Sequence, residues 1–126
     1  MKKLIMILFC LTFLSAHTCD DDRYDDGINC TMEARAALNV TVTLGDSSEN
    51  VTNGITVTAT DGDFTEVLQT YIEGDWVFSG AYERPGNYTI TVTCEGYQTY
   101  ISQLIPIARD QCHVIPRQLQ VNLQPI

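Results

Sequence analysis

From Ala37 onward the chain alternates apolar and polar residues with a period of two. Leu38, Val40, Val42 and Leu44 alternate with Asn39, Thr41 and Thr43, the pattern of a strand with one face buried and one face wet. The cluster Gly45 to Asn50 closes this strand, with Gly45 and Asp46 as turn formers. A second strand is predicted from Ile55 to Thr60, and Asp61, Gly62 and Asp63 form the turn after it. Phe64 to Tyr71 and Trp76 to Tyr82 follow as strands on either side of Glu73, Gly74 and Asp75. After the turn around Pro85 and Gly86, Tyr88, Ile90, Val92 and Cys94 alternate with Thr89, Thr91 and Thr93. Tyr97 to Ile107 and Leu119 to Leu123 complete the series. No segment carries a helical period. The expectation is an all-β chain: a single seven-stranded antiparallel β-sandwich of the transthyretin-like or immunoglobulin-like kind.

The N-terminus follows a different pattern. Lys2 and Lys3 precede an apolar run from Leu4 to Leu14, broken by Thr12, and small or polar residues follow at Ser15 to Thr18. This is the layout of a secretory signal, and the run falls short of the roughly 20 apolar residues that a membrane-spanning helix needs. Residues 1–18 are therefore predicted to be a signal peptide, 19–36 an acidic tether and 37–126 the sandwich. Cys19 stands where exported lipoproteins carry their acylated cysteine, and lipidation there would supply an anchor. The alternative is a free or disulfide-bonded thiol in a secreted protein. Five aspartates between Asp20 and Asp26 could suit a hard cation. However, the ligand spacing of a calcium loop is missing, and a solvated, self-repelling tether is the preferred reading.

Charge narrows the partners. Both lysines lie in the signal, which leaves five arginines against 16 acidic residues. A surface of that sign repels phosphate backbones, so no nucleic-acid partner is expected. The expected partners are a membrane, reached through the lipid anchor, and a glycan or envelope protein.

Cys30, Cys94 and Cys112 remain beyond Cys19. An exported chain matures where disulfides form, and three single pairings are open. Cys94 continues the apolar face of Tyr88, Ile90 and Val92 and is expected to be buried. Cys30 and Cys112 sit at element ends, so that pair is the expected disulfide. Zinc is disfavoured because there is no Cys-x-x-Cys pair and only His113 lies outside the signal. No metal or cofactor is expected.

The run Asn53-Gly54-Ile55-Thr56-Val57-Thr58-Ala59 resembles the opening strand of carboxypeptidase regulatory-like domains. Pro85 to Val92, followed by Glu95-Gly96-Tyr97, is similar to that family's central stretch, and Asp110 to Val114 resembles the start of its last strand. The resemblance spans residues 38 to 124. It implies a transthyretin-like sandwich in which Tyr88 packs in the core and Gly96-Tyr97 makes a turn. It also implies a role in folding, spacing or weak recognition, with no catalytic zinc domain attached.

Few residues nominate chemistry. His113 beside Arg109 and Asp110 has the makings of an acid/base or anion site, but no nucleophile is evident near it, and a loop histidine beside a disulfide is the preferred reading. Trp76, Phe78 and Tyr82 could form a sugar platform, although Trp76, Phe78 and Gly80 on one strand face point first to core packing. Tyr97 and Tyr100 flank a turn and join Trp76 as recognition candidates. The sequons at Asn29, Asn39, Asn50 and Asn87 are read as incidental. The functional expectation is a non-catalytic, exported, lipid-anchored envelope protein. A secreted carbohydrate- or protein-binding module is the alternative.

Overall fold

The computed structural model describes residues 29–126; the signal segment, Cys19 and the aspartate run lie outside them. Eight strands follow in chain order: β1 (Ala36–Leu44), β2 (Thr56–Asp61), β3 (Phe64–Val67), β4 (Phe78–Tyr82), β5 (Gly86–Thr93), β6 (Tyr100–Ile101), β7 (Ile105–Ile107) and β8 (Arg117–Leu123). Among the described residues there is no helix. One sheet has the order β4-β1-β8; the other has β3-β2-β5-β6, with β7 also on β5. The two sheets form a β-sandwich.

The period-two faces build its core. Leu38, Val40 and Val42 of β1, Val57 and Ala59 of β2, and Tyr88, Ile90 and Val92 of β5 are all fully buried. Val121 and Leu123 of β8 extend the layer beside β1. The threonines alternating with them lie on the opposite strand faces, as half-buried sheets require; of these Thr43, which accepts the Asn122 side-chain amide, is itself buried. The β2–β3 hairpin turns through Gly62 and Asp63 between the paired residues Asp61 and Phe64. Gly62 takes φ 59° there, a conformation a two-residue hairpin needs and a side chain would resist.

Three features depart from the predicted pattern. First, β8 pairs with β1 in parallel, from Leu38 with Arg117 to Leu44 with Leu123. Alternation fixes which face is buried but not the direction of the neighbour, so the expected all-antiparallel sandwich is corrected here. Second, Tyr97 to Ile107 is not one strand. β6 pairs Thr91 with Ile101, while β7 pairs Tyr88 with Ile105, so Ser102, Gln103 and Leu104 face only Thr89 and Ile90. This is a one-residue bulge. The Ser102 hydroxyl accepts the Ile90 amide at 2.8 Å and so supplies the acceptor that the ladder lacks. Third, β3 ends at Val67 because Leu68 turns into the core. Gln69 then crosses to the other sheet, exchanging two backbone hydrogen bonds with Ser79.

Tyr88 packs at the centre with 0% exposure, as the family resemblance implied. Its hydroxyl donates to the Arg84 carbonyl at 2.7 Å and accepts from the Arg84 guanidinium at 2.9 Å. A tyrosine bonding back to the chain just before its own strand pins a sandwich corner. Arg84 also pairs with Asp61 at 3.0 Å and lies over the Phe64 ring, 3.9 Å from its centroid. The β4–β5 turn is thereby fastened to the β2–β3 hairpin. Tyr88→Phe keeps the packing and strands both bonds of the corner, so a loss of about 1–3 kcal/mol is expected, read from urea unfolding.

Candidate functional site

The densest polar cluster lies where the chain enters the sandwich. Cys30 and Cys112 are joined by a disulfide with a Cα–Cα distance of 5.2 Å across 82 positions of sequence. His113 follows directly and is 6% exposed. Glu83 reaches it from the β4–β5 turn, where it adopts φ 53°, just after Ala81 of β4 at φ 55°. Left-handed backbone at a residue with a side chain costs about 1 kcal/mol or more, and here the bonds made by the Glu83 carboxylate offset it.

That carboxylate is a three-way junction. One oxygen accepts the Arg35 amide at 2.9 Å and meets His113 Nδ1 at 2.6 Å; the other accepts the Val114 amide at 3.0 Å. Burial pushes the Glu83 carboxyl upward, but the hydrogen bonds from His113, Arg35 and Val114, with the charge of His113, outweigh it. The net shift is below the ordinary value of 4.5. Glu83 is therefore an ionised acceptor, which puts the proton on Nδ1. On the other side of the ring, Nε2 lies 2.8 Å from the Thr31 hydroxyl, within hydrogen-bond distance. Asp110 caps the same loop: one of its oxygens accepts the Cys112 and His113 amides, both at 2.8 Å. Those two bonds, chiefly the one from His113, hold its carboxyl below 3.8.

Carboxylate, imidazole and hydroxyl in this order form the relay of an acyl-transfer triad, beside a hollow of about 430 Å³ lined by Thr31, Arg35, Gln111 and His113. Transition-state stabilisation is the decisive requirement, because such a reaction needs free amides aimed at a developing oxyanion. Here the amides of Arg35, Cys112, His113 and Val114 are already bound by Glu83 and Asp110, and two carboxylates would repel the oxyanion. The cluster is chemically suited to acting as a clasp. It holds residues 30–35, the described end of the expected tether, against the sandwich. Among the described residues no group of three or more His, Cys, Asp or Glu side chains is placed to hold a metal ion.

The recognition candidates separate. Trp76 is 52% exposed, which corrects the expectation that it packs in the core. β4 begins only at Phe78, so Trp76 belongs to the turn before it, where Asp75 bonds the Val77 amide. Trp76 lines a hollow of about 360 Å³ with Glu49 and Asn50, within the size range of small-ligand sites. Tyr97 and Tyr100 are half-buried and packed against the core. The hollow beside Tyr100 is about 110 Å³, too small for that range. Cys94 is half-buried rather than buried, since β5 ends at Thr93 and the chain turns there. Sequence reasoning missed Glu83 and Thr31 in the clasp and Glu49 and Asn50 beside Trp76. Glu83 read only as a turn residue, and no local signal links it to a histidine thirty positions away.

Two carboxylates with lowered pKa set the acid limit of the clasp. Each contributes stability that is present above its unfolded-state value and is lost as pH falls through its folded value. The unfolding free energy is expected to fall on acidification below about pH 4.5. Glu83→Gln and Asp110→Asn should each flatten that slope in a series of urea titrations. A slope unchanged in both variants would show that other groups set it.

No protein-family model matches the chain, and no curated protein matches it.

Proposed function

We propose that this chain is a non-catalytic exported protein, anchored in the cell envelope by lipid on Cys19, whose β-sandwich serves as a structural or recognition module. The observation that carries this reading is the Cys30–Cys112 disulfide. Such a crosslink persists in oxidising compartments and is rare in the cytosol, which agrees with the signal-like N-terminus. The resemblance to lipid-anchored carboxypeptidase regulatory-like domains points the same way. Cys19 and Cys30 are eleven positions apart, so a fully extended tether spans at most about 40 Å. The aspartates within it repel an anionic bilayer.

A second reading, a secreted module that binds carbohydrate or protein, rests on Trp76. An exposed indole beside a carboxylate and an amide offers a sugar ring an apolar face and hydrogen-bond partners together.

Intact-mass measurement of protein from the membrane fraction tests the first reading. The expected mass corresponds to cleavage before Cys19 plus acyl chains, and Cys19→Ser should move the protein to the soluble fraction. Unacylated wild-type protein in the soluble fraction would refute the anchor. Trp76→Ala, assayed on a glycan array, then decides the second reading. Its loss of a binding signal should leave membrane association unchanged.

A further inference from the structure

Of the four sheet edges, three carry a recognisable guard against strand addition. β3 is four residues long, and its Glu66 carboxylate turns inward to accept the Ala81 amide at 3.2 Å. The β6–β7 edge is broken by the Ser102 bulge and contains Pro106. Outside β4, Gln69 occupies the backbone of Ser79, and Ala81 kinks the strand with its positive φ. Short length, inward charge, bulges and proline are the usual protections of an edge.

β8 has none of them. It runs seven residues, Arg117–Leu123, in unbroken register with β1, without proline or glycine. Residues 111–126 contain no acidic side chain, although the chain carries 16. Arg117, at its first position, is the only charged residue of the strand. The direction of its backbone groups can be read from its neighbours. The Leu123 carbonyl accepts the Gly45 amide at 2.7 Å on the β1 side, while the next carbonyl, Gln124, accepts Gln98 N–H at 2.8 Å on the opposite side. N–H and C=O of successive residues point to opposite sides of a strand. Gln118, Gln120 and Asn122 therefore direct theirs away from β1, and among the described residues nothing bonds to them. Two of their side chains are drawn back toward β1: Thr41 donates to Gln120 at 2.6 Å, and Asn122 donates to Thr43 at 2.8 Å. The outward backbone is thus ordered and uncovered. Tyr97 already pairs with Pro125 in antiparallel fashion further along this edge.

We propose that β8 is a self-association edge, on which a second copy of this chain adds its own β8 antiparallel about a two-fold axis through Gln120. In that register Gln120 faces Gln120, and Gln118 faces Asn122, so each copy offers the other three outward residues. The result is a continuous six-stranded sheet. A second copy fits because the sequence Gln118-Leu119-Gln120-Val121-Asn122 is amide-symmetric about its centre and brings no like charges face to face. Elsewhere the acidic surface repels a copy. The Gln98 bond confines the pairing to residues 118–122, so the dimer is weak and concentration-dependent. The proposal is independent of lipid anchoring.

Sedimentation equilibrium of the Cys19→Ser protein, over a concentration series, tests it. The dimer is expected to run as a monomer on a denaturing, non-reducing gel, which separates it from a Cys94 crosslink. Gln120→Glu sets two carboxylates opposite each other and should weaken association roughly tenfold or more. An equimolar mixture of the Gln120→Glu and Gln120→Lys proteins sets opposite charges across the axis and should restore association in a salt-sensitive way. The Gln120 side chain is exposed, so circular dichroism should be unchanged in both variants. Hydrogen exchange should slow at the amides of Gln118, Gln120 and Asn122 as concentration rises. A monomer throughout the series would overturn the proposal. So would a dimer indifferent to Gln120→Glu, or protection of those amides in a monomer, which would mean that another segment covers the edge.

Discussion

The parallel pairing of β1 with β8 is the constraint on which the rest of this sandwich depends. It joins the first and last strands of the described chain at seven consecutive positions, and the other six strands lie between them in sequence. A contact this distant comes with a large loop-closure entropy and is repaid only once the intervening strands are in place. Two devices at one end of the pairing reduce that cost. The Cys30–Cys112 disulfide fixes the approach to β1 beside the approach to β8. Glu83, from the middle of the chain, bonds the Arg35 amide on one side and the Val114 amide on the other. The junction thus ties together the entry to β1, the β4–β5 turn and the entry to β8. Strained backbone at Glu83 persists because three bonds depend on where its carboxylate sits.

The opposite end has its own lock. Gly45 bonds Leu123, Asn122 bonds Thr43 and Gly45, and the last residues return to Gly96 and Gln98. Between these ends the Tyr88 corner and its Arg84 partner fasten the β4–β5 turn, which crosses between the sheets, to the β2–β3 hairpin. The molecule is held by a buried apolar layer, with polar fixtures at its corners that set which strands meet. That division leaves the outer edge of β8 regular and unguarded, while the surface elsewhere is acidic.

Periodicity made the buried faces legible. Leu38, Val40, Val42, Tyr88, Ile90, Val92, Val121 and Leu123 all point inward as their alternation requires. The disulfide was legible too, because Cys30 and Cys112 lie outside strands where a crosslink does not disturb a ladder. Direction and register were not. An alternating strand pairs equally well either way, so the parallel β1–β8 contact left no trace in the pattern. The bulge at Ser102 was hidden by apolar residues at Ile101, Leu104 and Ile105, which resemble a continuing strand. The clasp was invisible for a different reason. Glu83, His113 and Thr31 meet through three separate loops, and proximity of that kind is a product of topology. Trp76 misled because its spacing matches Phe78 and Gly80, yet the ladder starts two residues later.

If closure beside the clasp sustains the β1–β8 pairing, removing the crosslink must weaken that pairing first. The comparison is between wild-type protein and the Cys30→Ala, Cys112→Ala variant, by urea unfolding together with backbone hydrogen exchange. A loop of this length is worth roughly 4 kcal/mol in the chain-entropy model, a large share of the about 5–15 kcal/mol that holds a domain together. The expected result is a loss of that order, with amides of β1 and β8 losing protection before those of β2 and β5. Equal stability, or first loss of protection in the β2–β5 sheet, would contradict the account.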